Sequence, residues 1–202
     1  LFDFWVGAKQ RGHPAWAALL EQLADAVRDG PETSVLGGNR DYLLDAASLA
    51  DYGLRSLGRE HTFTADGTRF ALVHGDRYYP DSIRSRLFLR AIQSRPACTL
   101  ARRVPLWFSM GVAGAMRQWR RWVSRQWDAA TATRYEAKRF AALFDAGAQV
   151  VVCGHNHWAR DYTEELARPG CRLLALGEWA EEPSYLEYEG GAFRLVDPHL
   201  SG

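Results

Sequence analysis

The sequence predicts an α/β sandwich with mixed sheets. Helical and strand patterns alternate through most of the chain and strands accumulate towards its end, an order that suits mixed sheets better than a simple doubly wound fold. Val150, Val151 and Val152 form an unbroken apolar run, as strands covered on both faces do. Asp66-Gly67 and Gly190-Gly191 are tight-turn signals, each between two strand-like runs, which adds antiparallel hairpins to that buried strand. The 202 residues, 47% of them hydrophobic, suffice for one well-packed domain and are too few for two full ones.

Composition removes several function classes. The net charge of +1 by itself points to no class of partner. Cys98, Cys153 and Cys171 are odd in number and widely spaced, so a disulfide framework is not expected and a reducing cytosol is. No apolar run approaches the length of a transmembrane helix, and no signal-peptide pattern is visible. The opening Leu1-Phe2-Asp3-Phe4-Trp5 lacks both a methionine and a polar lead-in, which reads as an N-terminally incomplete chain. Lysine occurs only at Lys9 and Lys138; the other basic residues are arginine, as a GC-rich coding sequence would produce.

Element by element, Trp16, Leu19, Leu20, Leu23 and Val27 recur at helical spacing and predict a helix over Pro14–Asp29, with Pro14 in its first turn and Gly30 at its end. A short strand follows at Thr33–Leu36, then the polar loop Gly37-Gly38-Asn39-Arg40-Asp41. Tyr42–Tyr52 reads as a helix closed by Gly53. Glu60–Thr64 and Arg69–Val73 are the strands around Asp66-Gly67, the second running into His74-Gly75-Asp76. A long helical segment covers Asp81–Trp127, and a further helix, Arg134–Ala146, feeds the valine strand. Short strands are expected near Asp161–Thr163, at Arg172–Leu176, at Ser184–Glu189 and at Ala192–Val196.

Three of these strand ends share one grammar: strand, glycine, then side chains of the kind that bind metals. They are Gly38-Asn39-Arg40-Asp41, His74-Gly75-Asp76 and Gly154-His155-Asn156-His157. In extended backbone His155 and His157 would point the same way, so both imidazoles could face one point beyond the strand end, where open α/β folds place their chemistry. If the three strands lie in one sheet with common polarity, the loops meet. Imidazoles from His74, His155 and His157 with the amide oxygen of Asn39 form a mixed N/O donor set suited to Mn²⁺, Fe or Zn²⁺. Asp41 and Asp76 could orient those donors. Taken singly, Asn-Arg-Asp is also an ordinary turn and His74 also a satisfied core histidine. His13, His61 and His199 lack the strand–glycine context.

Gly-Asn-Arg-Asp, His-Gly-Asp and Gly-His-x-His in this order resemble the later motifs of the calcineurin-like metallophosphoesterases. Arg40, where most of that superfamily has histidine, is similar to the UDP-2,3-diacylglucosamine hydrolases of lipid A synthesis. So are Gly38-Asn39-Arg40-Asp41-Tyr42-Leu43-Leu44, the opening Leu1-Phe2-Asp3-Phe4-Trp5-Val6-Gly7 and the tail Leu176-Gly177-Glu178-Trp179. The resemblance spans the chain outside roughly residues 81–135. It implies a single metallophosphoesterase domain over residues 1–202, an αββα sandwich lacking its first strand or strands, with a helical lid insertion at about 81–127.

The resemblance further implies two divalent metal ions, Mn²⁺ foremost. Asn39, His74 and His155 would serve one ion and His157 the other, with His155 and Arg40 as catalytic residues. The family's upstream Asp-x-His and Gly-Asp do not occur in this chain, which leaves three of four ligands at one site and one of four at the other. Two such ions would activate water and clamp a phosphate. Arg40 would meet the diphosphate with a fixed fork of donors. A guanidinium stays protonated and cannot serve as the acid, which favours a leaving group that needs little protonation, such as a sugar 1-phosphate. Substrate contacts would come from Asn39, Arg40, Asp81, Arg125 and Arg134. The reaction implied is hydrolysis of UDP-2,3-diacylglucosamine to UMP and 2,3-diacylglucosamine 1-phosphate.

The middle of the chain has its own signal. Ser82–Trp127 holds ten arginines and no Asp or Glu. Arg117, Arg121 and Arg125 fall on one helical face; Val112, Met116, Trp119 and Val123 form a second stripe. Such a basic amphipathic segment fits an anionic membrane surface, or a lid that shelters acyl chains. A solvated insertion packed on the core fits as well, and nucleic acid is a weaker rival. The expected location is the cytoplasmic face of the inner membrane. The competing functions are phosphoester hydrolysis of another phosphodiester or nucleotide, and a non-catalytic binding module with a degenerate site.

Overall fold

The computed structural model describes residues 4–79, 83–124, 137–179 and 183–197. In chain order, a 3₁₀ turn at Ala8–Gly12 is followed by α1 (Pro14–Arg28), β1 (Ser34–Val35), α2 (Ala46–Ala50), β2 (Arg55–Ser56), β3 (Glu60–Ala65) and β4 (Thr68–Val73). Then come α3 (Ile83–Ile92), α4 (Arg95–Arg103), α5 (Leu106–Ser124), a 3₁₀ turn at Ala137–Phe140, α6 (Ala141–Asp145) and β5 (Val150–Cys153). The chain ends with β6 (Arg160–Asp161), α7 (Thr163–Leu166), β7 (Arg172–Ala175), β8 (Tyr185–Glu189) and β9 (Ala192–Val196). It divides into two compact units, Leu1–Gly58 with Asp81–Asp128, and Arg59–Pro80 with Ala129–Gly202.

In the first unit, α1 forms where its apolar spacing predicts, with Pro14 in the first turn. Leu20 from α1 meets Trp5 and Leu43 in a small core, with Trp16, Leu19, Cys98 and Ala101 packed against it. The helix expected over Tyr42–Tyr52 is shorter. Leu44 N–H donates to Asp41 O, forming a turn, and the Asp45 carboxylate then accepts from Ser48 N at 2.8 Å, so Asp45 is the N-cap that sets the start of α2. The long helical segment is broken into α3, α4 and α5. Ser94 caps α4 through Ala97 N with proline in the first turn, and Pro105 immediately precedes α5.

In the second unit, β3-β4-β5-β7-β6 form a five-stranded mixed sheet, with β4, β5 and β7 parallel and the outer strands antiparallel. Successive side chains alternate between its faces. Ala71, Val73, Val151, Cys153, Leu173 and Ala175 face Phe140 and Phe144, the latter on α6. Phe70, Val150, Val152 and Leu174 face Leu186, Tyr188 and Phe193 of the β8–β9 hairpin. Val150, Val151 and Val152 are buried as their unbroken run predicts. Both hairpins form at their turn signals: Asp66 and Gly67 have φ of 48° and 75°, and Gly190 and Gly191 have 55° and 85°.

The helix expected over Arg134–Ala146 is, among the described residues, a 3₁₀ turn followed by the five-residue α6. Near residue 161 the strand is confined to Arg160–Asp161. The Asp161 carboxylate accepts from Thr163 N at 2.9 Å, turning the chain into α7.

Candidate active site

β4 and β5 run side by side in parallel with Val73 opposite Cys153, so both strands end at the same edge of the sheet. Gly154 N–H donates to His74 O at 3.0 Å and ties the two exits together. His155 Nδ1 lies 3.4 Å from His74 Nε2, with the rings at 77° to one another. Tyr79 presents its ring to His155 at a centroid distance of 5.6 Å.

The extended geometry expected of His155 and His157 does not form. Both residues have positive φ, 83° and 63°, so the chain coils through this loop instead of alternating. Non-glycine residues seldom hold this conformation, which costs on the order of 1–3 kcal/mol and clusters at functional sites. As a result the two imidazoles have different partners. His155 meets His74, whereas His157 Nδ1 bonds to Glu178 Oε2 at 2.5 Å. Glu178 follows β7, the parallel neighbour of β5. Sequence reasoning assigned it no role, although Leu176-Gly177-Glu178 repeats the strand–glycine–donor grammar of the other exits.

Asp76 accepts from Arg59 Nη2 at 2.5 Å, and its side chain is only 10% exposed. Arg77 pairs with Glu60 at 2.8 Å, so two ion pairs fasten the loop after His74 to the beginning of β3. Tyr78 stacks on Phe140 at 4.4 Å. Burial, with Glu60 adding to it, pushes the Tyr78 phenol up to about 12.

Asn39, Arg40 and Asp41 belong to the other unit. The condition that the strand before them share one sheet with β4 and β5 is not met: β1 pairs with β2 in a two-stranded parallel sheet. Beyond these two residues the pairing continues through Gly37 N–H, which donates to Gly58 O at 2.7 Å, so the segment's backbone partner is the β2 side. The buried Asp41 carboxylate accepts from Gly38 N, closing the loop that carries Asn39 and Arg40. Trp5 N–H donates to Arg40 O at 3.2 Å, and the Arg40 guanidinium lies 5.8 Å from the centre of the Phe4 ring. The opening segment and the Asn-Arg-Asp loop are therefore joined within this unit. Asp81, Arg125 and Arg134 lie outside the described residues. Among the described residues, no group of three or more His, Cys, Asp or Glu side chains is arranged to hold a metal ion.

No family model matches the chain. Curated relatives do. It is 28% identical to the UDP-2,3-diacylglucosamine hydrolase of Edwardsiella ictaluri, over 97% of this chain and 76% of that protein. The enzyme of the same name from Actinobacillus succinogenes is 26% identical, over 93% of this chain and 78% of its own length. Along most of its length this chain is similar to the curated UDP-2,3-diacylglucosamine hydrolases. The hydrolase of Sodalis glossinidius matches along 100% of this chain and 83% of its own length at 27% identity, so the relationship includes the arginine-rich middle. A solution NMR structure of a Thermotoga maritima protein aligns with a TM-score of 0.41 and 14% identity over 92% of this chain and 90% of that one, too remote a likeness to bear on the fold.

Proposed function

We propose that this protein hydrolyses the diphosphate of UDP-2,3-diacylglucosamine, giving UMP and 2,3-diacylglucosamine 1-phosphate, with divalent cations bound at the ends of β4 and β5. The observation that supports it best is the facing pair His74 Nε2 and His155 Nδ1, 3.4 Å apart at adjacent strand ends. Two imidazole nitrogens, each about 2.0–2.1 Å from one cation at a tetrahedral angle, stand about 3.4 Å from each other. This spacing supports a cation held between these two nitrogens. When bound, Mn²⁺, Fe or Zn²⁺ would supply an activated water and neutralise phosphate charge.

His74 and His155 hold one cation, with the Asn39 amide oxygen as a further ligand on the strength of its motif. Glu178 holds the His157 Nδ1–H, which leaves Nε2 as the donor to the second cation. Arg40 binds the diphosphate through its planar donor fork and, being permanently protonated, orients charge without transferring a proton. Asp41 and Asp76 keep the two loops in shape. Asp81, Arg125 and Arg134 are assigned to the substrate by the resemblance. In the finer reading, residues 1–202 form one calcineurin-like αββα domain with a helical lid at about 81–127. Trp107 and Phe108 on α5 and Leu100 on α4 are 75%, 48% and 65% exposed on this arginine-rich segment. That combination supports contact with acyl chains and an anionic membrane surface at the cytoplasmic face. No helix among the described residues is long and apolar enough to cross a membrane.

The test is release of UMP from UDP-2,3-diacylglucosamine by the full-length protein with Mn²⁺, followed with and without a chelator. Release that stops on chelation is expected. Absence of UMP from a folded, metal-loaded protein would refute the substrate, and faster hydrolysis of soluble nucleotides would move the assignment to them.

A further inference from the structure

In a chain whose basic residues are otherwise almost all arginine, Lys9 is one of two lysines, and its surroundings explain why an ammonium stands there. Its Nζ donates to Ala101 O at 2.8 Å, to Val104 O at 2.5 Å and to Ser109 Oγ at 2.7 Å. The two carbonyls belong to the C-terminal end of α4, and Ser109 lies in the first turn of α5. Three acceptors converging on one atom match the three N–H donors of an ammonium; a planar guanidinium spreads its donors over a wider fork. A cation at a helix C-terminus also meets the negative end of the helix dipole. Burial lowers the Lys9 pKa from the ordinary lysine value, as withdrawal from water requires.

The other end of this contact leads to Arg40. Lys9 lies in the 3₁₀ turn Ala8–Gly12, next to the buried Gln10. Gln10 Oε1 accepts from Val6 N at 2.8 Å and Gln10 Nε2 donates to Phe4 O at 3.0 Å, while Trp5 N–H donates to Arg40 O. The acid-free span Ser82–Trp127 contains no carboxylate of its own with which to anchor its helices.

We propose that Lys9 is a positioning residue that locks the α4–α5 corner to the opening segment, so that the exposed aromatic face of α5 is held in fixed relation to Arg40 for an acylated substrate. The lock itself is independent of the proposed reaction; its consequence for substrate rests on that reading, and the two are tested separately. Amide hydrogen exchange over residues 98–110 reports the lock. Lys9→Met, which removes the shared ammonium donor from three acceptors, is expected to speed exchange there at least tenfold, and Lys9→Arg should fail to restore protection. Should Lys9→Met not fold, Ser109→Ala removes one acceptor and is expected to speed exchange by a smaller factor. In turnover, Lys9→Met is expected to raise KM for UDP-2,3-diacylglucosamine about tenfold while hydrolysis of bis(p-nitrophenyl) phosphate with Mn²⁺ stays within twofold of the parent. Unchanged exchange in Lys9→Met, or full protection in Lys9→Arg, overturns the lock. Equal slowing of both substrates overturns the positioning role. A parent protein that cleaves neither substrate refutes the proposed function and leaves the exchange result to decide the lock.

Discussion

Gly177→Ala tests how closely the exit of β7, which leads to Glu178, is packed against Ser184 and Asp197. A Cβ at this position would collide with Asp197 Oδ2 and would lie 2.9 Å from Ser184 Oγ and 3.1 Å from Ser184 Cβ. Ser184 and Asp197 are 2% and 4% exposed, so neither can swing clear into solvent. Forcing a methyl into a closed space costs about 1–3 kcal/mol. The 2.8 Å bond from Gly177 N to Ser184 Oγ is strained as well, and its loss costs about 0.5–1.5 kcal/mol. Alanine restricts the unfolded chain and returns about 0.4–1 kcal/mol. The central net is a destabilisation of about 2 kcal/mol. In urea denaturation followed by tryptophan fluorescence, this appears as a lower midpoint at unchanged slope. Gly114→Ala is the control. It lies in α5 with no atom of the described residues within 4 Å of its Cβ position, and alanine there is expected to stabilise by about 0.5–1 kcal/mol. Gly177→Ala at or above the stability of the parent would show that the close packing of this exit does not exist.

His155→Ala should lower Mn²⁺-dependent turnover more than 100-fold with an unchanged circular dichroism spectrum; residual activity within tenfold of the parent contradicts its role as a ligand. Glu178→Ala should weaken Mn²⁺ binding by about 10–100-fold in calorimetry, the usual effect of losing a partner behind a ligating histidine, and an unaltered affinity would separate Glu178 from the site. Tyr78 has its phenol held up to about 12 in the folded chain, against an ordinary value of 10.0. Between these values the unfolded chain loses this proton first, so stability is full below pH 10 and falls as pH rises towards 12; Tyr78→Phe should flatten that fall in denaturation midpoints measured across the alkaline range.

How much was legible depended on how local the cause was. The α1 stripe, the Asp66-Gly67 and Gly190-Gly191 hairpins and the buried valine strand were readable because periodicity and turn chemistry act over a few residues. The extent of α2 was misread because apolar content continued upstream while the Asp45 cap set the start. The breaks around α4 were announced by Ser94, Pro96 and Pro105 yet were passed over in favour of the long amphipathic pattern. At the candidate site, the strand ends of His74 and His155 were found from the strand–glycine grammar. Glu178 was missed, although the same grammar marks it.

Local sequence supplied the available side chains: two imidazoles and an amide behind glycines, a third imidazole just ahead of one, an arginine beside the amide, and an acid-free helical segment. The tertiary structure decided their pairing. Whether His155 and His157 share one partner depends on two backbone angles, and both proved positive, so one ring turned to His74 and the other to Glu178. Local composition restricts those angles weakly outside glycine. The partners themselves are supplied by the parallel register of β4, β5 and β7, which brings Val73, Cys153 and Ala175 to one edge from widely separated parts of the chain.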